Sequence, residues 1–276
     1  MVRSADRLTD VESRQVLELA AAAERADGVY PLSEDVVLAV RHGGGRHLLT
    51  DAGYAFLGAE SGELVVHPDH RRRGHGTALL RAAGDGPLTF WAHGDGPPAR
   101  AFAEKAGFDR IRVLWQMRRS LAEDLPDAPL PAGVTLRHFR PGHDEQAWLT
   151  VNARAFADHP EQGRWTEHDL ELREAEPWFD PAGFLLAVDV EDRLLGFHWT
   201  KVQDGLGEVY VLGVDPGGHR KGLGRALSVA GLRHLTDRGL TTAILYVDES
   251  NRAAVRLYES LGFARWSADV SYQRRR

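Results

Sequence analysis

The chain has 276 residues, long enough for two domains or one large one. Hydrophobic residues at 43% and charged residues at 27% are those of a folded globular protein and exclude wholesale disorder. There is no cysteine, which excludes a disulfide scaffold, a cysteine-ligated metal and a thiol nucleophile. A net charge of −6 argues against bulk binding to nucleic acid or an anionic membrane.

The first ten residues carry Arg3, Asp6, Arg7 and Asp10 without an apolar stretch, unlike a signal peptide. No apolar run approaches the ~18 residues of a membrane span, so the expected location is the cytoplasm. Thr9-x-x-Glu12 is a capping box that opens an Ala-rich helix reaching Glu24. Further on, Leu64-Val-Val-His-Pro-Asp-His-Arg-Arg-Arg-Gly-His-Gly-Thr77 is echoed by Leu212-Gly-Val-Asp-Pro-Gly-Gly-His-Arg-Lys-Gly-Leu-Gly-Arg225. Val66, Pro68, Gly74 and Gly76 meet Val214, Pro216, Gly222 and Gly224 at one offset of 148. A second pair follows at an offset of 155: Ala101-Phe-Ala-Glu-Lys-Ala-Gly-Phe108 against Arg256-Leu-Tyr-Glu-Ser-Leu-Gly-Phe263. Two matches in the same order indicate a duplicated domain.

The segment 124–133 holds three prolines and suits an extended connector. The expected organisation is therefore a first domain at 1–123, a Pro-rich linker at 124–133 and a second domain at 134–276. In the second, 134–137 reads as a short strand and 144–156 as a helix, and Thr166-x-x-Asp169 caps another. Phe184–Val188 and 194–200 read as a hairpin, followed by a β-rich run at 208–214. An amphipathic helix from Gly222 to about Arg238 ends at Gly239. A buried strand at 243–247, a helix at 253–261 and a last strand at 265–272 complete the chain. This mixture predicts an α+β fold, with a mostly antiparallel central sheet flanked by helices in each copy.

A strand ending in Val-x-Pro, a basic Gly-x-Gly turn and then a helix suit an anion. Glycine lets the backbone approach a ligand closely, and the first-turn N–H groups and the helix dipole favour a pyrophosphate. A P-loop is disfavoured because no Gly-Lys-Ser/Thr follows. A Rossmann site is disfavoured for want of the acidic partner on a second strand.

With this layout present twice, the sequence resembles the GCN5-related N-acetyltransferases in tandem. The second half sharpens the resemblance to the mycothiol synthase family. It rests there on His159-Pro-Glu-Gln-Gly163, Glu176-Pro-Trp-Phe-Asp-Pro181, Leu195-Gly-Phe-His-Trp-Thr-Lys-Val202, Gly207-Glu-Val-Tyr-Val211 and the string from Leu245 to Tyr258. The resemblance implies acetyl-CoA as co-substrate and no metal. It implies acetyl transfer to the cysteine amine of Cys-GlcN-inositol, a small molecule, by a monomer without nucleic-acid or membrane partners. The implied acetyl-CoA contacts in the second half are Leu212, Gly213, Val214, His219, Arg220, Lys221, Gly222, Leu223, Gly224 and Arg225, with Asn251, Arg252, Ala253, Ala254, Val255 and Arg256. In the first half they are Leu64, Val65, Val66, Arg72, Arg73, Gly74, His75, Gly76 and Thr77.

An α-amino group with a pKa near ~7.7–8.0 must lose a proton before it attacks. On the residues alone, Glu208 reads as a solvated carboxylate at a strand start; the resemblance makes it the general base. On a regular strand it shares a face with Tyr210 and Leu212, and a backbone N–H near Leu212 is placed to meet the oxyanion. Tyr258, otherwise a core aromatic, becomes the acid that protonates the departing thiolate, and Asn251 also reads as a helix N-cap. Family-matched acceptor contacts are Glu161, Lys201, Glu208 and Tyr246, joined by Glu34, which equally reads as a helix-start charge beside Ser33. Glu34 in that role suggests a cleft between domains. In the first copy Ala103 stands at the Tyr258 position, Gly96 at that of Asn251 and Glu60 at that of Glu208. The first domain is therefore expected to bind acetyl-CoA without turning it over. His219 departs from the Gln or Arg usual in the family. The competing readings are a tandem acetyltransferase for another small-molecule or peptide amine and a non-catalytic acyl-CoA-binding protein.

Overall fold

The computed structural model describes residues 1–157, 159, 162–218 and 220–275. Twelve strands and eight α-helices are found among them. In chain order they are β1 (Arg3–Ala5), α1 (Asp10–Asp27), α2 (Glu34–His42), β2 (Arg46–Thr50), β3 (Gly53–Leu57), β4 (Gly62–Val66), α3 (His75–Ala83), β5 (Thr89–Ala92), α4 (Pro97–Lys105) and β6 (Phe108–Ser120). There follow β7 (Thr135–His138), α5 (Glu145–Ala155), α6 (Glu167–Glu174), β8 (Phe184–Val188), β9 (Leu194–Gln203), β10 (Leu206–Val214), α7 (Leu223–Asp237), β11 (Thr242–Asp248), α8 (Arg252–Glu259) and β12 (Ala264–Arg274).

The chain forms two compact units. The first comprises Met1–Trp115, Asp248–Ser250 and Ser267–Arg276, and the second Gln116–Val247 and Asn251–Trp266. The C-terminal strand is thus divided, where the sequence reading places all of 134–276 in one domain. The physical reason lies in the pairing of β12: Val270, Ser271, Tyr272 and Gln273 run antiparallel to Ala92, Trp91, Phe90 and Thr89 of β5. Val270 is fully buried there, and Tyr272 donates a 2.6 Å hydrogen bond to Asp95.

In the first unit, β1, β2, β3 and β4 form an antiparallel meander, and β4 then pairs in parallel with β5. Helix α1 starts at the Thr9–Glu12 capping box and buries Val16, Ala20 and Ala23 against Tyr54 and Val65. A charged cluster lies in the interior of this unit. His93 Nδ1 lies 2.9 Å from Asp269 and Nε2 lies 3.2 Å from Glu63. Gly94 N donates to Asp269 and Ser33 N to Glu63. Burial alone would push His93 down, but the flanking carboxylates of Glu63 and Asp269 outweigh it and raise its pKa to about 10.

In the second unit, β7, β8, β9 and β10 are antiparallel neighbours, and β10 pairs in parallel with β11. The expected α+β fold with a mostly antiparallel sheet is observed. Helix α6 opens at the Thr166–Asp169 capping box. The core on the α5 side is aromatic: Trp148, Phe184, Phe197 and Trp199 are fully buried, and Phe184 stacks on Trp199 at 4.4 Å. On the other side α7 packs so closely on β9 that a Cβ at Gly231 would lie 2.1 Å from the His198 ring. His198 Nδ1 lies 2.8 Å from the Leu227 carbonyl, and burial pushes its pKa down to about 4, so it donates as a neutral ring.

Candidate active site

Strand β10 organises the site, and its register changes partway. Leu206–Val209 pair with Gln203–Thr200, whereas Val211–Val214 pair with Trp199–Gly196, which leaves Tyr210 as one extra residue. Such a bulge re-aims side chains. Val211 packs with the aromatic core and a Cβ on Gly213 would meet Phe197 and Ala155, while Leu212 and Val214 pack with Leu223 and Leu227 of α7. Leu212 therefore does not share the face of Glu208 expected for a regular strand; the bulge turns it to the α7 side.

Glu208 is half-buried and stands directly opposite Lys201 on β9, so the two side chains share a face. Lys201 is buried, with Nζ 4.5 Å from the Trp178 ring centroid and 5.3 Å from that of Tyr210. Tyr210 accepts a 2.8 Å hydrogen bond from Arg173 Nε, whose guanidinium lies 3.8 Å from the Trp165 ring. On the other flank Glu208 is registered with Ile244 of β11, and Tyr246 lies two residues on, hence on the same face. Three of the expected acceptor residues, Lys201, Glu208 and Tyr246, are thus brought onto one face. A fixed ammonium, a carboxylate and a phenol in a row give that face groups that can move a proton and bind hydroxyls.

Beyond Val214 the chain turns through Asp215, which accepts from Gly217 N and pairs at 2.8 Å with Arg154. Gly222 then adopts φ +88° as the N-cap of α7, with no side chain capping the helix. The first-turn N–H groups are left for a ligand, beside exposed Arg220 and Lys221. Leu223 is fully buried and anchors the helix start, and a Cβ on Gly224 would come into ordinary contact with Val214 at 3.8 Å. Arg225 donates to Ser260 at the end of α8, fixing the two helices to each other. Asn251 caps α8, accepting from Ala254 N, so its N-cap reading is realised; Arg252, Ala253, Ala254, Val255 and Arg256 form the turns that follow. Tyr258 lies on the buried side of α8 against Phe263, and burial pushes its pKa up to about 12. It remains a protonated donor at neutral pH.

The first unit repeats the anion turn. Leu64, Val65 and Val66 end β4, and Gly74 caps α3 with φ +91° and no side-chain cap. Arg72 also has positive φ, Arg73 and Thr77 are exposed, His75 lies 3.2 Å from Thr50, and Gly76 sits against Phe102. Glu60 precedes β4 in an exposed turn rather than standing on the strand, and Ala103 is buried on α4. Glu34 opens α2 behind the Ser33 cap, its helix-start position. Glu161 and His219 lie outside the described residues.

Trp178 and Arg173, which shape the face around Lys201, were absent from the residues picked out by sequence. Trp178 falls inside the Glu176–Pro181 string, a usable signal, whereas Arg173 carries none. Among the described residues, no group of three or more His, Asp or Glu is placed to hold a metal ion, and no helix is long and apolar enough to cross a membrane.

Comparison with known proteins gives the family of the chain. The acetyltransferase (GNAT) family profile matches residues 148–263, and an acetyltransferase (GNAT) domain profile matches residues 33–110. The chain is 59% identical to a mycothiol acetyltransferase of Thermomonospora curvata, over 97% of this chain and 95% of that one. The chain belongs to the mycothiol acetyltransferase family. Another member, from Salinispora arenicola, is 57% identical over 99% of this chain and 96% of its own. Among solved structures, a tandem GNAT protein from the clavulanic acid biosynthesis pathway superposes with a TM-score of 0.72 at 20% identity, covering 99% and 98% of the two chains. A GCN5-related N-acetyltransferase from Sphaerobacter thermophilus gives 0.70 at 24% identity, over 99% and 95%. As a member of this family the chain is an N-acetyltransferase of mycothiol biosynthesis built from two GNAT domains. GNAT acetyltransferases use acetyl-CoA, and the uncapped glycine turns suit its pyrophosphate.

Proposed function

We propose that the second unit transfers the acetyl group of acetyl-CoA to the cysteine amine of Cys-GlcN-inositol, with Glu208 as base and Tyr258 as acid. The observation that carries this reading is Glu208 and Lys201 opposed across β10 and β9, on a strand that leads into the uncapped α7 turn. In the proposed reaction Glu208 takes a proton from the acceptor ammonium, directly or through a water. The free amine attacks the thioester carbonyl, and a backbone N–H near Leu212 meets the oxyanion. Collapse breaks the C–S bond, and the Tyr258 hydroxyl gives its proton to the departing thiolate. As the amide forms, the amine's second proton passes through water to the Tyr258 phenolate, and Glu208 returns the first to solvent. A positioned base contributes ~10²–10⁴-fold to such a step.

Acceptor binding falls to Lys201, Glu208 and Tyr246, each able to bond a polyhydroxylated ligand. An aminoglycoside or other polycationic acceptor is disfavoured by the buried Lys201 ammonium beside the base. The first unit, with Ala103 and exposed Glu60 in place of an acid and a base, would bind acetyl-CoA without turnover, and the reaction would run in the cytoplasm. Incubation with acetyl-CoA and Cys-GlcN-inositol, followed by mass spectrometry, tests the reading. The N-acetylated product is expected; its absence from folded, acetyl-CoA-binding protein overturns the assignment.

A further inference from the structure

The face that carries Glu208 does not end at Tyr246. Gln116 Nε2, on the neighbouring strand β6, donates a 2.7 Å hydrogen bond to the Tyr246 hydroxyl. Arg118, two residues along β6, donates through Nε to Gln116 Oε1 at 2.9 Å. Its guanidinium carbon lies 4.4 Å from the centroid of Trp266, on β12. Trp266 is 65% exposed and Tyr246 41%, whereas Met117 and Arg119, which alternate with these β6 residues, are buried. Side chains on three neighbouring strands, β12, β6 and β11, therefore form one connected row, Trp266–Arg118–Gln116–Tyr246, that runs toward β10 and the base. All of it lies within the second unit.

The exposed indole and the guanidinium lying over it present a flat apolar face and a cation side by side. An apolar face with a few convergent polar groups beside it is the combination that small-ligand sites use. From the base on β10 to the far end of the row on β12 are three strand spacings, about 14 Å. That matches a thin acceptor a few rings long whose amine sits at Glu208. Trp266 offers a flat apolar face for the C–H side of a saturated ring. Gln116 offers an amide, and the Arg118 guanidinium has five N–H donors, of which the bond to Gln116 uses one. These groups suit vicinal hydroxyls on neutral rings rather than a second cation, because Arg118 would repel one.

We infer that Gln116, Arg118 and Trp266 form a specificity subsite that binds the polyhydroxylated end of the acceptor while its amine is held at Glu208. This rests on the proposed acceptor and names the residues that recognise the part remote from the reaction. Binding energy from a remote subsite of this kind separates a full acceptor from a truncated one.

The test compares kcat/KM for Cys-GlcN-inositol with that for a simple cysteine amide lacking the rings. In W266A and R118M the full-to-truncated ratio is expected to fall about tenfold, the size of one lost stacking or charge-assisted contact. W266F, which keeps a flat ring, should retain most of the ratio, a rescue that a merely structural role would not give. Circular dichroism and the KM for acetyl-CoA identify variants that fail to fold. A ratio unchanged in both W266A and R118M, with acetylation intact, overturns the subsite alone. Wild-type protein that leaves Cys-GlcN-inositol unacetylated overturns the acceptor reading and the subsite with it.

Discussion

The two units hold the same turn and different strands ahead of it. Gly74 and Gly222 cap their helices at φ +91° and +88°, neither helix has a side-chain cap, and each turn follows a Val-x-Pro strand end. Yet β4 has five regular residues, whereas β10 has nine and a bulge at Tyr210. The longer strand carries Glu208 opposite Lys201, while the equivalent Glu60 falls in a turn before β4. Ala103 on α4 has no proton to give where Tyr258 on α8 does. An anion grip needs only backbone and glycine, whereas the proposed acid and base need side chains held by a particular strand and helix.

The largest expected effect separates the units directly. Glu208→Gln should lower kcat by about 10²–10⁴-fold, the contribution of a positioned base, while Glu60→Gln leaves steady-state turnover at the wild-type level. The next lies in stability. His93→Gln removes the cation between the buried Glu63 and Asp269 carboxylates, and breaking a buried pair costs about 3–5 kcal/mol. Chemical denaturation followed by hydrogen exchange should place that loss in the first unit; an unchanged midpoint would remove the cluster from the account. Tyr258→Phe should lower kcat by about 10²-fold, the low end for a proton donor. Because the Tyr258 pKa stands at about 12, wild-type kcat should show no falling limb from this group between pH 8 and pH 10.

The smallest effect is a contrast in pH dependence. The raised pKa of His93 gives stability fully present below about pH 6.5 and lost as pH rises through about 10. The depressed pKa of His198 gives stability present above about pH 6.5 and lost as pH falls through about 4. Hydrogen exchange should find the first unit loosening toward alkaline pH and the second toward acid pH. The same direction in both would contradict these environments.

Local chemistry made much of this legible in sequence. Thr9 with Glu12 and Thr166 with Asp169 are complete capping boxes within four residues, and the glycine turns announce positive φ at Gly74 and Gly222. What escaped depends on distant partners. Glu208 to Val214 alternates as a regular strand would, and nothing in it marks the extra residue at Tyr210; the register is set by β9. The alternation from Arg265 to Tyr272 identifies a strand but not its neighbour, and β5 with Asp95 and His93 draws its end into the first unit. Gln116, Arg118 and Trp266 are scattered in sequence and become a row only through the strand order. The proposed proton-transfer roles of Glu208 and Tyr258 rest on family resemblance, because spacing alone does not distinguish a base from a solvated carboxylate.

The central claim is that both units grip acetyl-CoA and only the second uses it. It is tested most directly by measuring acetyl-CoA stoichiometry and turnover together in Gly74→Ala and Gly222→Ala. Each substitution forces a side chain into a left-handed conformation, at about 1–2 kcal/mol, with open space around the added carbon. Each variant should bind one of the two equivalents of acetyl-CoA about 5–30-fold more weakly, with kcat/KM for acetyl-CoA lowered to match in Gly222→Ala and unchanged in Gly74→Ala. Equal kcat/KM in the two variants would contradict the account.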